Sequence, residues 1–86
     1  MAGNGPWSAR QAAQVSQRLR WLREERGWAI RELGRRAGLS PSTVGGIERG
    51  AQPDLGSMLA LQRAFGCSSL EELLGPFPPS KELGEP

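Results

Sequence analysis

Eighty-six residues allow one small domain, and a chain this short buries only about 60% of the surface its unfolded form exposes, so its core is thin. A single cysteine, Cys67, excludes an intrachain disulfide. With no histidine and no second cysteine, a zinc site of the usual ligand types is excluded as well. The net charge of +2 is unevenly placed: residues 1–50 hold nine arginines against four glutamates, a balance of +5, and residues 51–86 carry −3.

A basic half suits a surface that meets phosphates, and so does the bias of ten arginines to one lysine, because the guanidinium fork matches phosphate oxygens. A GC-rich genome gives the same bias. No apolar run approaches the roughly 20 residues of a membrane span. Residues 1–8 have neither the charge nor the apolar stretch of a signal peptide. The expectation is a soluble, cytosolic protein with no membrane partner. Cys67 reads as a small buried or half-buried thiol.

Residues 1–7, with Gly3, Gly5 and Pro6, show no periodicity and are expected to be flexible. Ser8 then spells an N-cap, with Gln11 completing a capping box. From Ala9 the apolar residues Ala12, Val15, Leu19 and Leu22 recur at steps of three and four, which predicts a helix ending at Arg26–Gly27. A second helix is predicted over Ile30–Ala37, broken at Gly38–Leu39. Ser40 caps a third, with Pro41 at its first position, Val44 and Ile47 facing inward, and a stop at Gly50. Gly45 and Gly46 each cost that helix roughly 1 kcal/mol relative to Ala, so it needs tertiary support.

Asp54 caps a fourth helix carrying Leu55, Met58, Leu59, Leu61 and Phe65, closed by Gly66. Ser68 with Glu71 spells a second capping box for a short fifth helix, which ends at Gly75–Pro76. Residues 76–86 hold further prolines without periodicity and read as a disordered tail or linker. No strand pattern and no internal repeat occurs.

Two short helices joined by a glycine-containing turn make a helix-turn-helix, whose second helix enters the DNA major groove. Leu33, Ala37, Leu39, Val44 and Ile47 have the spacing to share one core. The pattern alone is also that of a structural helical hairpin.

The run Leu19-x-x-Leu22-Arg23-Glu24-Glu25-Arg26-Gly27-Trp28 is followed by Leu33, by Ala37-Gly38-Leu39-Ser40-x-Ser42-Thr43-Val44 and by Ile47-Glu48-Arg49-Gly50. Pro53, Leu55, Leu59, Ala64, Phe65-Gly66 and residues 70–74 continue it. This stretch, about two thirds of the chain, resembles the Cro/C1-type, or Xre, helix-turn-helix family. The resemblance implies an all-α, compact five-helix bundle of the lambda-repressor-like type over residues 8–75, serving a DNA-binding transcriptional regulator. It also implies an Arg23–Glu48 pair joining the first and third helices and a core-packed Trp28. Phosphate contacts are implied near Ser40, Thr43 and the backbone after Gly50.

The departures from the family pattern are specific. Ala29 and Ile30 stand where the family often has a Ser or Thr cap followed by a phosphate-gripping Gln. The base-reading places hold Pro41, Ser42 and Gly46, whereas bidentate base recognition wants Arg, Lys, Asn or Gln. Direct readout is therefore expected to be poor.

Three readings stand together. Binding rests on phosphates and shape through Arg49, Arg31, Arg35 or Arg36; or the glycines allow close backbone approach; or the fold has turned to protein binding, as an antitoxin-like partner for example. The expected DNA-binding set is Arg31, Arg35, Ser40, Pro41, Ser42, Thr43, Gly45, Gly46 and Arg49, with no metal and no cofactor. Double-stranded DNA is the expected partner, read by a homodimer. Trp21 lies off the apolar stripe and either anchors a protein partner or lies over the N-terminal segment near Trp7. The extra length of the first helix extends the basic surface through Arg10 and Arg18. With no histidine, no nucleophile–base pair and no phosphate loop, the residues point away from an enzyme.

Overall fold

In a computed structural model of the protein, residues 7–75 are described and form five helices, with no strand among them. The flexible segment expected at 1–6 and the tail expected at 76–86 lie outside the described residues. Helix α1 spans Ala9–Glu25 and opens on a complete capping box: the Gln11 amide donates to Ser8 Oγ at 3.0 Å, and the Ser8 amide donates to Gln11 Oε1 at 2.9 Å. Its stripe of Ala12, Val15, Leu19 and Leu22 is buried, as the three-and-four spacing requires.

Helix α2 spans Ile30–Ala37, α3 spans Pro41–Glu48, α4 spans Leu55–Ala64 and α5 spans Leu70–Leu74. α2 packs on α3 and on α4, α1 on α3 and on α5, and α4 on α5. The shared core is Val15, Leu19, Leu22, Leu33, Ala37, Val44, Ile47, Met58, Leu61, Phe65 and Leu73. Among the described residues, every buried side-chain nitrogen and oxygen has a hydrogen-bond partner. No described helix is long and apolar enough to cross a membrane.

The α2–α3 turn depends on two glycines for different reasons. Gly38 adopts φ +73°, the left-handed conformation that ends α2 without a Cβ penalty. Gly34 sits where the chain returns. A Cβ there would stand 2.6 Å from the Leu39 carbonyl oxygen, while the Leu39 amide donates back to the Gly34 carbonyl at 2.8 Å. Absence of a side chain at 34 is what lets the turn close on α2.

Three expectations need correction. Trp7, grouped with the flexible N-terminus, is held in place: its indole Nε1 donates to the Pro53 carbonyl at 3.1 Å, and its backbone exchanges hydrogen bonds with the Gln52 amide side chain. A large amphipathic ring with a donor to satisfy ties down a segment that has no periodicity of its own. Trp7 therefore belongs with the Gln52–Pro53 loop, and Trp21 remains 43% exposed with the Arg18 guanidinium 5.2 Å from its ring centroid.

The cap of α5 is one residue later than its spelling suggests. Ser69 is the N-cap and accepts from the Glu72 amide at 3.0 Å, while the Glu72 carboxylate takes the amide and hydroxyl of Ser68, each at 2.6 Å. A start at Leu70 places Leu73 wholly inside the core. Finally, Arg18 does not extend a basic surface. It is buried and donates through Nε to the Leu73 carbonyl at 2.9 Å and through Nη2 to Gly75 at 3.3 Å, tying α1 to the end of α5.

Candidate nucleic-acid interface

The third helix is fixed from inside before anything is offered outside. Val44, Ile47 and Glu48 are buried, and the Glu48 carboxylate is gripped in both oxygens by Arg23: Nε to Oε2 at 2.7 Å and Nη2 to Oε1 at 2.9 Å. Arg23 also donates from Nη1 to the Trp28 carbonyl at 2.7 Å. Its hydrogen bonds to Glu48 hold its guanidinium pKa above the ordinary arginine value, outweighing the cost of partial burial. Arg20 adds a bond from Nη2 to the Glu48 carbonyl at 2.7 Å, which satisfies an end-of-helix acceptor. One acidic side chain thus locks α3 to α1 through a bidentate fork.

At the other end of α3, Ser40 caps the helix by accepting from the Thr43 amide at 3.1 Å, and its hydroxyl donates to Thr43 Oγ1 at 2.9 Å. Pro41 occupies the first position, as its missing N–H allows. Pro41, Ser42 and Thr43 are exposed, and Gly46 is half-exposed. Gly45 is covered, by the Arg49 guanidinium. The N-terminus of α2 is bare in the way the sequence implies, since Ala29 makes no side-chain cap bond. Ile30 packs against the core instead.

The arginines divide sharply. Arg18, Arg20, Arg23 and Arg26 are held by backbone carbonyls or by Glu48; Arg26 donates to the Leu22 and Phe65 carbonyls and lies 5.0 Å from the Phe65 ring centroid. Trp28 stacks on Phe65 with centroids 5.7 Å apart, and Arg36 lies 4.3 Å above Trp28.

On α2, Glu32 bridges Arg35 at 2.5 Å and Arg36 at 2.7 Å. The hydrogen bond from Arg35 holds the exposed Glu32 carboxyl below its ordinary range. Two residues proposed for DNA on sequence grounds, Arg35 and Arg36, pair with this carboxylate on their own helix while their side chains stay 69% and 44% exposed. The guanidinium groups of Arg31 and Arg49 make no hydrogen bond or ion pair to any described residue. These two flank the helix-turn-helix at the start of α2 and the end of α3.

The model of the Helix-turn-helix family matches residues 19–73. The chain belongs to the Cro/C1-type helix-turn-helix family. In this helix-turn-helix protein, α2 and α3 are the two helices of the motif, and α1, α4 and α5 complete the bundle around it. The crystal structure of the hypothetical transcription factor NHTF from Neisseria is similar, with a TM-score of 0.69 and 24% identity over 98% of this chain and 95% of that one. At that identity the likeness shows the fold. No curated protein matches the chain.

Sequence reading placed the Arg23–Glu48 pair and the Ser40 cap but missed the structural duties of Arg18, Arg20 and Arg26. Nothing in the spacing distinguishes an arginine that meets a carbonyl from one that meets water.

Proposed function

We propose that this protein is a transcriptional regulator that binds duplex DNA by laying α3 in the major groove, with phosphate and shape contacts dominant. The observation that carries the reading is the pairing of a locked α3 with two uncommitted guanidinium groups, Arg31 and Arg49, on either side of the motif. Family membership supports the DNA-binding assignment.

The exposed Ser40–Thr43 turn and its helical amides approach one phosphate run, a geometry that helix N-termini favour electrostatically. Arg31 and Arg49 supply positive charge that no carboxylate of the described residues pairs. Arg35 and Arg36 contribute only the net single charge of their cluster with Glu32. Pro41, Ser42, Gly45 and Gly46 shape the surface that faces the groove rather than gripping it.

One such module buries about 600–1,000 Å² against DNA. A second copy on an adjacent half-site would double that area, so the protein works as a homodimer. The test is a titration of random duplex DNA at two salt concentrations. Binding at low ionic strength that weakens linearly with the logarithm of salt supports the reading. An absence of binding at low ionic strength refutes it, and a stoichiometric protein partner that covers Gly45 and Gly46 would replace it.

A further inference from the structure

The outward face of α3 carries one long side chain, and that side chain is folded back on the helix. Ser42, Gly45, Gly46 and Arg49 fall at steps of three, four and seven, opposite the buried Val44, Ile47 and Glu48. A Cβ placed on Gly45 would stand 3.1 Å from Arg49 Nη1, tighter than ordinary contact. The same atom on Gly46 would meet nothing closer than Ala51 Cβ at 3.9 Å. The guanidinium therefore rests on the bare backbone of Gly45, in the space a side chain would occupy. No described residue accepts a hydrogen bond from it, so its planar set of donors is unspent.

We propose that Arg49, seated on Gly45, is the specificity-determining residue of α3 and reads the major-groove edge of a guanine. The inference rests on the DNA-binding reading given above. Guanine presents two acceptors there, O6 and N7, which match two parallel N–H donors of a guanidinium; Arg on guanine is the commonest specific contact of this kind. Ser42 is too unselective to do this, and Gly46 has no side chain. A guanidinium lying back along the helix, instead of trailing from its C-terminal end, is carried over the part of α3 that faces the bases. Gly45 acts through Arg49 and is a positioning residue.

The test is selection from a randomised duplex pool by the wild type and by Arg49→Lys, Arg49→Ala, Gly45→Ala and Gly46→Ala, each checked for folding by thermal unfolding. Wild type should enrich a site with one guanine whose preference disappears in both Arg49 variants while preferences elsewhere in the site persist. Gly45→Ala should weaken the same preference, and Gly46→Ala should keep it. Replacing that guanine by 7-deazaguanine, which removes N7, should weaken wild type roughly 10-fold and leave Arg49→Ala unaffected. Arg49→Lys retains charge and stem, so it reports even if Arg49→Ala unfolds.

If instead Arg49→Ala weakens every duplex alike, lowers the salt slope by about one and leaves the enriched sequence unchanged, Arg49 holds a phosphate and the proposal falls while DNA binding stands. A wild type that binds DNA but enriches no guanine overturns it equally. A wild type that binds no duplex refutes the functional reading itself, and this inference with it.

Discussion

Glu48→Ala is expected to cost this domain a large part of its stability. The Glu48 side chain is 5% exposed and Arg23 13%, so the pair lies well below the surface regime in which ion pairs are nearly neutral. Removing one partner of a buried pair costs about 3–5 kcal/mol, mainly because the other charge is left without compensation. The lower end applies here, because Arg23 keeps the Trp28 carbonyl as an acceptor and retains some water. For a domain of 60–100 residues each 1 kcal/mol moves Tm by roughly 4–8 °C, so a loss of about 3 kcal/mol corresponds to a fall of roughly 12–24 °C.

Thermal unfolding followed by far-ultraviolet circular dichroism measures this directly. A double-mutant cycle with Arg23→Met isolates the pair: the double variant should lose less than the sum of the two singles, since neither charge is then orphaned. A fall below roughly 4 °C for Glu48→Ala, or simple additivity in the cycle, would show that Arg23 and Glu48 act as two solvated charges. The reasoning about how α3 is locked to α1 would then be wrong.

Gly34→Ala should destabilise by about 1–3 kcal/mol, because its Cβ meets the Leu39 carbonyl oxygen at 2.6 Å and neither backbone can yield freely. Gly46→Ala, with open space around its Cβ, should instead stabilise by roughly 0.5–1 kcal/mol; denaturant melts that rank the two the other way would contradict the turn geometry. Asp54, Glu32 and Glu72 have folded-state pKa values lowered first by hydrogen bonds from Ser57, Arg35 and Ser68 respectively. Their stabilisation is present above the ordinary carboxylate range and is lost as pH falls through the lowered values. Tm should thus be flat near neutrality and drop below about pH 4, with a smaller drop in Asp54→Asn; a Tm that held or rose on acidification would refute this. Burial, helped by the Glu72 charge, pushes the Cys67 thiol up against the weaker pull of Arg26 and Arg18. Alkylation by iodoacetamide near pH 7 should therefore be slow in the folded protein and fast in denaturant.

The fold was largely legible because its signals are local. Ser8, Ser40 and Asp54 cap the helices they spell, and most of the periodic apolar residues enter the core; Leu55 and Leu59, expected on the apolar side of α4, instead stay exposed, at 65% and 39%. The misplacement of the α5 cap has a local cause: Ser68 and Ser69 both precede an acidic residue by three positions, and only the demand that Leu73 be buried decides between them. Trp7 was illegible for the opposite reason. Its partners, Gln52 and Pro53, lie some 45 residues away in the chain, and no pattern near Trp7 records them.

The interface was legible only as a scaffold, and the arginines explain why. A +5 balance over residues 1–50 reads as a field aimed at phosphates, yet most of the arginines behind it are turned to carbonyls or carboxylates within the protein. Arg18 closes the end of α5, Arg20 the end of α3, and Arg23 neutralises Glu48, while Arg35 and Arg36 share Glu32. Charge counted along a chain measures what is available before folding; affinity for DNA depends on what folding leaves over. Arg31 and Arg49 are left over at the two flanks of the motif, and Arg49 is placed by the absence of a side chain at Gly45. Glycine in a recognition helix first reads as a missing contact. Beside a folded-back guanidinium it becomes the condition for one, because a methyl at that position would push the only long side chain of the outward face away from where it lies.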